Sequence, residues 1–322
     1  NGQSVGVQSA TLTRIVNQTL IHDIDQQNSV TAYANIQQAY FQQIQNLQGS
    51  PTGGTSLPDQ VTSLKNAFTQ LSQSPNDGTL QAQALAAAQQ TAGQINRFGN
   101  LLNSMRAQTE SDIAAGIKIV NNDLNAIAKL NVQITSLAAQ GQSTADLEDK
   151  RDMAINDLSK YIKITTATNG KQVTVLTSSG QVLASAVAET LYFTSSNMLP
   201  TSFYPGGGLS GITVGSPTGP DMLTKGNLGG QLGGLLDLRD NVLPKYVAQL
   251  DEFSENLAVR FQDEGLTLFT DRSGNIPANT AGSYVGFSSY IQVNPAVTAN
   301  PTLLQQGTTG TEPSNSSEVI NP

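Results

Sequence analysis

The feature that most constrains the fold is a run of residues spaced alternately four and three apart. It comprises Ile113, Ile117, Val120, Leu124, Ile127, Asn131 and Ile134. This spacing puts the side chains on one helix face, and it is the period of helices that pack side by side in a supercoil. A helix of this polarity is marginal alone in water, so the stripe predicts packing against other helices. Asn131 is interpreted as fixing register rather than binding a ligand.

Similar periodicity predicts further helices along the chain. They cover residues 16–47, 57–71, 79–140 and 144–161, and a last one runs from Gly229-Gly230 to Phe261. Residues 79–140 would form a rod about 90 Å long if unbroken. Ser56 is expected to cap the second helix, with Pro58 in its first turn. The first helix is predicted from apolar residues at multiples of a helical turn or heptad, namely Leu20, Ile24, Tyr33, Tyr40, Ile44 and Leu47.

A β-rich segment interrupts these helices. Ile162, Ile164, Val173, Val175 and Val182 alternate with polar residues, and Asn169-Gly170 favours a tight hairpin turn. Because helical spacing resumes afterwards, this segment is predicted to be inserted into a discontinuous helical domain. The predicted domains are a helical rod (1–160 and 226–265), a β-rich insertion (161–225) and an irregular return segment with short strands (266–322).

The predicted fold class is therefore mainly α with a β insertion. It consists of an elongated, multi-helix, coiled-coil-like rod domain and a small β-rich domain. Residues 5–15 are expected to be extended, and the last dozen residues are expected to be mobile. The first residue is not Met, and we expect both natural termini to lie outside this sequence.

Composition excludes several classes of function. The 322 residues include 16 Lys and Arg against 24 Asp and Glu, a net charge of −8, which argues against nucleic acid and membrane surfaces as partners. With no Cys and one His, thiolate chemistry and Ser-His or Cys-His catalytic sets are not expected. Charged residues form 12% of the chain, about half the usual share, so we hypothesise that exposed Gln, Asn and Thr of the rod helices form subunit contacts.

Three groups of residues are candidates for a catalytic, metal or phosphate site. His22 has no partner suited to catalysis or metal binding. The carboxylates of Asp146, Glu148, Asp149 and Asp152 could suggest a cation site, but they lack the calcium-loop pattern, and Lys150 and Arg151 favour an ion-paired helix face. The glycines at 206–208 and at 229, 230, 233 and 234 lack a phosphate-loop pattern, and the second group predicts a helix-initiating turn. No catalytic, cofactor-binding or metal residue is predicted, and the chain is not expected to be an enzyme.

Two Arg-Asp pairs flank the β-rich segment. Arg151 and Arg239 each precede an Asp on a predicted helix. They are interpreted either as braces of the junction between helices and insertion or as exposed pairs worth under about 1 kcal/mol. Both interpretations stay open at the level of sequence.

Four blocks in order carry a resemblance to a known family. They are LPDQVTSLKNAFTQLSQSPND (57–77), ADLEDKRDMAINDLS (145–159), GGQLGGLLDLRDNVLPKYVAQLDEFSENLAVRF (229–261) and IQVNPAVTANPTLLQQG (291–307). Together they resemble the flagellar hook-associated protein 1 (FlgK) family. The resemblance implies a flagellin-like architecture, with helices from both ends of the chain in a rod domain and β-rich domains that project outward. Residues 26–28 are unusually polar, which leaves the packing partner of the first helix open.

The resemblance also implies a function and partners. The family joins hook to filament as an extracellular structural component of the bacterial flagellum, exported by the flagellar secretion apparatus and needed for motility. The implied partners are neighbouring copies, the hook protein, the second hook-filament junction protein and an export chaperone that binds a C-terminal region outside this sequence. The alternatives are another flagellar axial protein, namely the second junction protein or a flagellin, and a secreted coiled-coil effector or adhesin.

Overall fold

The computed structural model describes residues 17–48, 56–222, 228–280 and 282–308. The extended segment predicted at residues 5–15 and the mobile end predicted for the last dozen residues lie outside these ranges. Within them, long helices dominate and the strands are short. The predicted fold class, mainly α with a small β part, is confirmed.

Eight α-helices occur in the described residues. They are α1 (Gln18–Gln48), α2 (Leu57–Gln73), α3 (Gly78–Ala139), α4 (Ala145–Tyr161), α5 (Gly230–Asp237), α6 (Leu243–Asp263), α7 (Pro295–Ala299) and α8 (Leu303–Gln306). The predicted starts of α2 and α3 are correct to within one residue, because local chemistry sets them. The break predicted between α1 and α2 lies outside the described residues. Ser56 forms a reciprocal capping box with Asp59 at the start of α2. Asp77 accepts hydrogen bonds from the N–H groups of Thr79 and Leu80 at the start of α3.

Helix α3 is 62 residues long and unbroken. The predicted stripe is buried along its second half, where Ile113, Val120, Leu124, Ile127 and Ile134 have no solvent exposure. Each such side chain contributes roughly 1.5–3 kcal/mol to folding. The stripe is therefore core, as predicted.

The predicted last long helix contains a π-helical turn at Leu238–Val242, between α5 and α6. Pro244 lies in the first turn of α6. A proline in a continuous α-helix loses one backbone hydrogen bond and crowds the carbonyl four residues earlier, here that of Asp240. The wider turn accommodates this conflict, so the prediction of one regular helix is wrong at this point.

Five strands occur in the described part of the β segment, namely β1 (Ile164–Asn169), β2 (Gln172–Thr177), β3 (Val182–Ala184), β4 (Leu191–Tyr192) and β5 (Thr213–Val214). The first three form an antiparallel sheet in the order β1-β2-β3, and β4 pairs with β5. Asn169 pairs with Gln172, so the hairpin turn consists of Gly170 and Lys171. The hairpin is confirmed, but its turn begins one residue later than predicted, because Gly170 takes the first central position with φ +61.

The chain divides into two compact units. The first contains Thr109–Ser196, Tyr204–Asp237 and the described residues up to Gln38. The second contains Ala39–Gln108, Asn197–Phe203 and the described residues from Leu238 onward. The predicted division into a helical rod, an inserted β-rich domain and a return segment stays a prediction.

The core of the second unit is aromatic. The rings of Phe68 in α2 and Phe261 in α6 have centroids 5.2 Å apart, and that of Phe269 lies 5.5 Å from Phe261. Phe269 belongs to β6 (Phe269–Thr270), which pairs antiparallel with β7 (Gln292–Val293). Asp251 of α6 accepts the N–H groups of Gly286 and Ser288. These contacts pack the described part of the return segment against α6.

Helix α1 packs through polar residues in the first unit. Gln26 donates to the carbonyl of Ile164 at 2.8 Å, and Asn28 donates to Oγ of Ser159 at 3.1 Å. The packing partner left open by the sequence is therefore the end of α4 and the start of β1. Leu20 and Ile24, which belong to the apolar series that predicts this helix, are 55% and 44% exposed, so this end of the series does not face the core.

The two ends of the β segment lie side by side in the first unit. The N–H of Lys163 donates to the carbonyl of Leu228 at 2.8 Å. Gly230 then starts α5 with φ +59, and its N–H donates to Oγ of Ser29. A Cβ at Gly230 would lie 2.4 Å from the carbonyl carbon of Tyr161. Only glycine fits this close return of the chain.

We expect Gly230→Ala to lower the free energy of unfolding by more than about 2 kcal/mol, because it combines a left-handed backbone with a backbone clash. The matched control is Gly141→Ala, where φ is +70 but no atom lies within 4 Å of the added Cβ. It should cost only about 1 kcal/mol. Urea unfolding measures both, and equal losses would contradict the assigned close contact.

Candidate functional site

Three of the four acidic residues of the candidate cation site, Asp146, Glu148 and Asp152, lie in ion pairs. Asp146 accepts from Lys150 at 2.7 Å on the exposed face of α4. Glu148 accepts from Lys171 Nζ and from Thr144 Oγ1, both at 2.6 Å. Burial alone would raise the pKa of Glu148, but these hydrogen bonds outweigh it and lower the pKa. In the described residues, no group of three or more His, Asp or Glu could hold a metal ion.

The glycines and His22 are placed as structural residues. Gly229 and Gly230 form the helix-initiating turn that the sequence predicts. At Gly234 an added Cβ would lie 2.4 Å from Cγ2 of Ile36, so this glycine lets α1 and α5 approach closely. His22 is half-buried on α1 and interacts electrostatically with Asp25. Asp25 also interacts electrostatically with Asp152, one of the acidic residues of α4.

Arg151 braces the junction between the helices and the β segment. Its side chain is buried on α4, and Nη1 donates to Oδ1 of Asn131 at 3.1 Å and to the carbonyl of Lys171 at 2.7 Å. Its Nε lies 3.8 Å from Asp152. The interpretation as a brace is correct for Arg151, because the guanidinium links α3, α4 and the β1–β2 turn.

Two asparagines of α3 hold the β segment by bonding strand backbone. The amide nitrogen of Asn131 donates to the carbonyls of Val173 and Ser185, and its oxygen accepts the N–H of Val173. Asn121 donates to the carbonyl of Leu191 and accepts its N–H. The predicted register residue Asn131 thus bonds strand backbone as well as Arg151 of α4. Asn121 was not predicted as a contact residue, because in the sequence it is one of several amides on a helix that precedes the strands.

Arg239 is also buried, but it pairs with its own neighbour. Its Nε and Nη2 donate to the two carboxylate oxygens of Asp240 at 2.7 and 2.9 Å. The interpretation as an exposed pair is therefore wrong for both arginines. In the same unit Arg106 is buried and donates through Nη2 to the carbonyl of Ser202 at 2.6 Å. Burial lowers the pKa of Arg106, and the charge of Asp240 opposes that shift.

Burial raises the pKa of two aspartates of the first unit. Burial raises the pKa of Asp123 to about 6, and the charge of Asp157 adds to the shift. Burial also raises the pKa of Asp25, while hydrogen bonds from Asn156 and Ser159 oppose the change. One carboxylate oxygen of each aspartate has no hydrogen-bond partner among the described residues. Both groups therefore oppose folding when they are ionised.

Grooves in the first unit offer surface for a partner. One, of about 420 Å³, lies between α1 and α4 and is lined by Ile21, Ile24, Asp149, Asp152, Met153, Asn156 and Asp157. A second, of about 500 Å³, is lined by Asn28, Thr31, Ala32, Asn35, Ile36, Lys160, Tyr161 and Gln231. The first combines exposed apolar side chains with carboxylates. No helix in the described ranges is long and apolar enough to cross a membrane.

Comparison with known proteins gives concordant matches. The family model for the flagellar hook-associated protein FlgK helical domain matches residues 41–275. Flagellar hook-associated protein 1 of Bacillus subtilis (strain 168) is 24% identical over 181 residues, 56% of this chain and 34% of that protein. The structure of the flagellar hook junction protein FlgK from Burkholderia pseudomallei is similar in fold, with a TM-score of 0.63 and 24% identity. That match covers 81% of this chain and 46% of the other, so the chain spans less than half of each relative.

We expect Arg151→Ala to lower the free energy of unfolding by about 3 kcal/mol, because it leaves Asn131 Oδ1 and the carbonyl of Lys171 without this donor inside the protein. Lys150→Ala is the matched control, since it removes the neighbouring cation from an exposed pair. It should cost under about 0.5 kcal/mol. Denaturant unfolding at neutral pH separates the two, and similar losses would contradict the bracing role.

We expect Asp123→Asn to raise the free energy of unfolding at pH 7.5 by about 1 kcal/mol, and by less at pH 4.5. Between the usual pKa of 3.8 and the folded value of about 6, the folded state keeps a proton that the unfolded state has lost. Stability from this group therefore falls as the pH rises through that window. Urea titrations at the two pH values measure the effect.

The control for Asp123→Asn is Asp23→Asn, which removes the same charge from an exposed position on α1. Its effect should stay within about 0.5 kcal/mol at either pH. If Asp123→Asn raised the free energy of unfolding equally at both pH values, the raised pKa of Asp123 would be contradicted.

Proposed function

This chain belongs to the FlgK family of flagellar hook-associated proteins, and on that premise we propose that it is a structural segment of the junction between hook and filament. The match of the family's helical-domain model to residues 41–275 carries this proposal. In the proposed role the chain acts by packing against other subunits rather than by catalysis. Its location would be extracellular, on the flagellum, after export by the flagellar secretion apparatus.

A packing role agrees with what the buried polar groups contact. Arg151 and Asn131 bond the β segment, and Asp251 bonds the return segment. Each of these side chains binds protein backbone, which rigidifies a fold. Rigid subunits suit a joint that transmits load between two tubes.

We also propose the domain arrangement predicted above, with helical residues 1–160 and 226–265, a β-rich insertion at 161–225 and a return segment at 266–322. The bond between Lys163 and Leu228 supports it, because the chain leaves and rejoins the helices at neighbouring points. An insertion with adjacent ends leaves the helical framework continuous in space.

The proposed partners are neighbouring copies, the hook protein and the second hook-filament junction protein. An export chaperone would bind a C-terminal region outside this sequence. Subunits related by a helical operator contact each other through two different, complementary surfaces. The chain should therefore carry two such surfaces.

Deletion of the gene that encodes this chain should abolish swimming in soft agar, because a missing junction leaves the filament without attachment. A plasmid copy should restore swimming, as should one with the control substitution Lys150→Ala. A copy with Arg151→Ala should restore it poorly at elevated temperature. A deletion strain that swims normally would contradict the proposed function.

A further inference from the structure

Helix α3 has a second stripe with the same spacing on its solvent face. It comprises Lys118, Asn122, Asn125, Lys129, Val132 and Ser136, which step by four and three and are all exposed. Val132 is 52% exposed and is the apolar member of this stripe. Neither lysine forms an ion pair with another described residue, and no acidic residue belongs to the stripe. We call these six residues the basic stripe.

The groove between α1 and α4 has the opposite character. Its lining contains three carboxylates, from Asp149, Asp152 and Asp157, and no Lys or Arg. Lys160 pairs with Asp157 at 2.7 Å and Nε of Arg151 lies 3.8 Å from Asp152, so the lining is acidic but partly neutralised from outside the groove. Met153 lies among them and is 67% exposed, and Ile24 is exposed on the α1 side. We call the seven lining residues of this groove the acidic groove.

A buried carboxylate adds to the negative field at the groove. Asp25 of α1 is 4% exposed, and its Oδ1 has no hydrogen-bond partner among the described residues. It interacts electrostatically with Asp152, which lines the groove. Burial raises the pKa of Asp25, and when it is ionised its charge reinforces the negative field of the groove carboxylates.

We propose that the basic stripe of one copy docks in the acidic groove of a neighbouring copy. The two surfaces are complementary in charge, and each carries an exposed apolar side chain for the other to cover. The lysines lie about 16 Å apart along α3 and the outer carboxylates about 12 Å apart along α4, so flexible lysine side chains can reach both. Electrostatic complementarity of this kind fixes the register of an interface.

This proposal rests on the proposed packing of copies and names the surfaces involved. Because the stripe and the groove are different surfaces, the contact is heterologous and can repeat from copy to copy. It also gives Asn122 and Asn125 of the stripe a role as uncharged contacts. The hypothesis that exposed amides form subunit contacts thereby becomes specific to one face of α3.

Cross-linking with a carbodiimide, which joins lysine to carboxylate without a spacer, tests the proposal. Equal amounts of unlabelled and ¹⁵N-labelled chain are mixed at high concentration, and mass spectrometry separates cross-links between copies from those within one copy. We expect mixed-label products that join Lys118 or Lys129 to Asp149, Asp152 or Asp157. The pairs Asp146–Lys150 and Asp157–Lys160, each at 2.7 Å, report that the reagent works.

The variant Lys118→Glu with Lys129→Glu should lower the yield of products between copies at least about tenfold, since attraction becomes repulsion. Lys65→Glu with Lys245→Glu is the matched control, because it changes the net charge equally at two exposed lysines of the second unit. It should leave the yield within about twofold of the unchanged chain.

A second variant, Asp149→Lys with Asp157→Lys, should likewise fail to associate alone. Mixing it with Lys118→Glu/Lys129→Glu should restore products between copies, because each mixture then contains one intact stripe and one intact groove. Products between copies that avoid both surfaces would overturn this proposal and leave the packing of copies standing. The absence of any products between copies, with the intrahelical ones present, would overturn both.

Discussion

The buried stripe of α3 is the constraint on which the rest of the first unit depends. Its apolar side chains need a surface to cover them, because a helix of this polarity is marginal by itself. Gly116 lets Leu232 of α5 approach the helix closely, since a Cβ there would lie 2.7 Å from Cδ2 of that leucine. Elements far apart in sequence thus pack along one helix. The polar contacts of the β segment then follow from where the stripe places α3.

Polar side chains fix the positions along α3 of the strands that pack against it, which apolar packing alone does not fix. Apolar packing along a helix tolerates sliding, because dispersion and burial are not directional. Asn121 and Asn131 remove that freedom by bonding individual strand residues, and Arg151 ties the hairpin turn to the same helix. The buried arginine is thus held by two hydrogen bonds from Nη1 and by the nearby carboxylate of Asp152, and such pairing is what makes a buried charge tolerable.

Local chemistry explains what could be predicted from the sequence. The bounds of α2 and α3 follow from Ser56, Asp77 and the glycine and proline signals beside them, which act within a few residues. The partners of Asn131 could not be predicted, since an amide in a 4-3 series suits a helix or a strand equally. The exposure of Leu20 and the raised pKa of Asp123 depend on tertiary packing, which for Asp123 means its burial and then the nearby charge of Asp157 in α4.

The neighbouring ends of the β segment limit how such proteins can diverge. Because Lys163 and Leu228 are hydrogen-bonded, a longer or shorter segment can be accommodated between them without moving α4 or α5. Replacing the β segment by another module would still carry a cost in stability. The new module would have to offer backbone groups to Asn121 and Asn131, because their amides would otherwise lose their strand partners. Relatives that carry a different module at this point should therefore differ at these two asparagines as well.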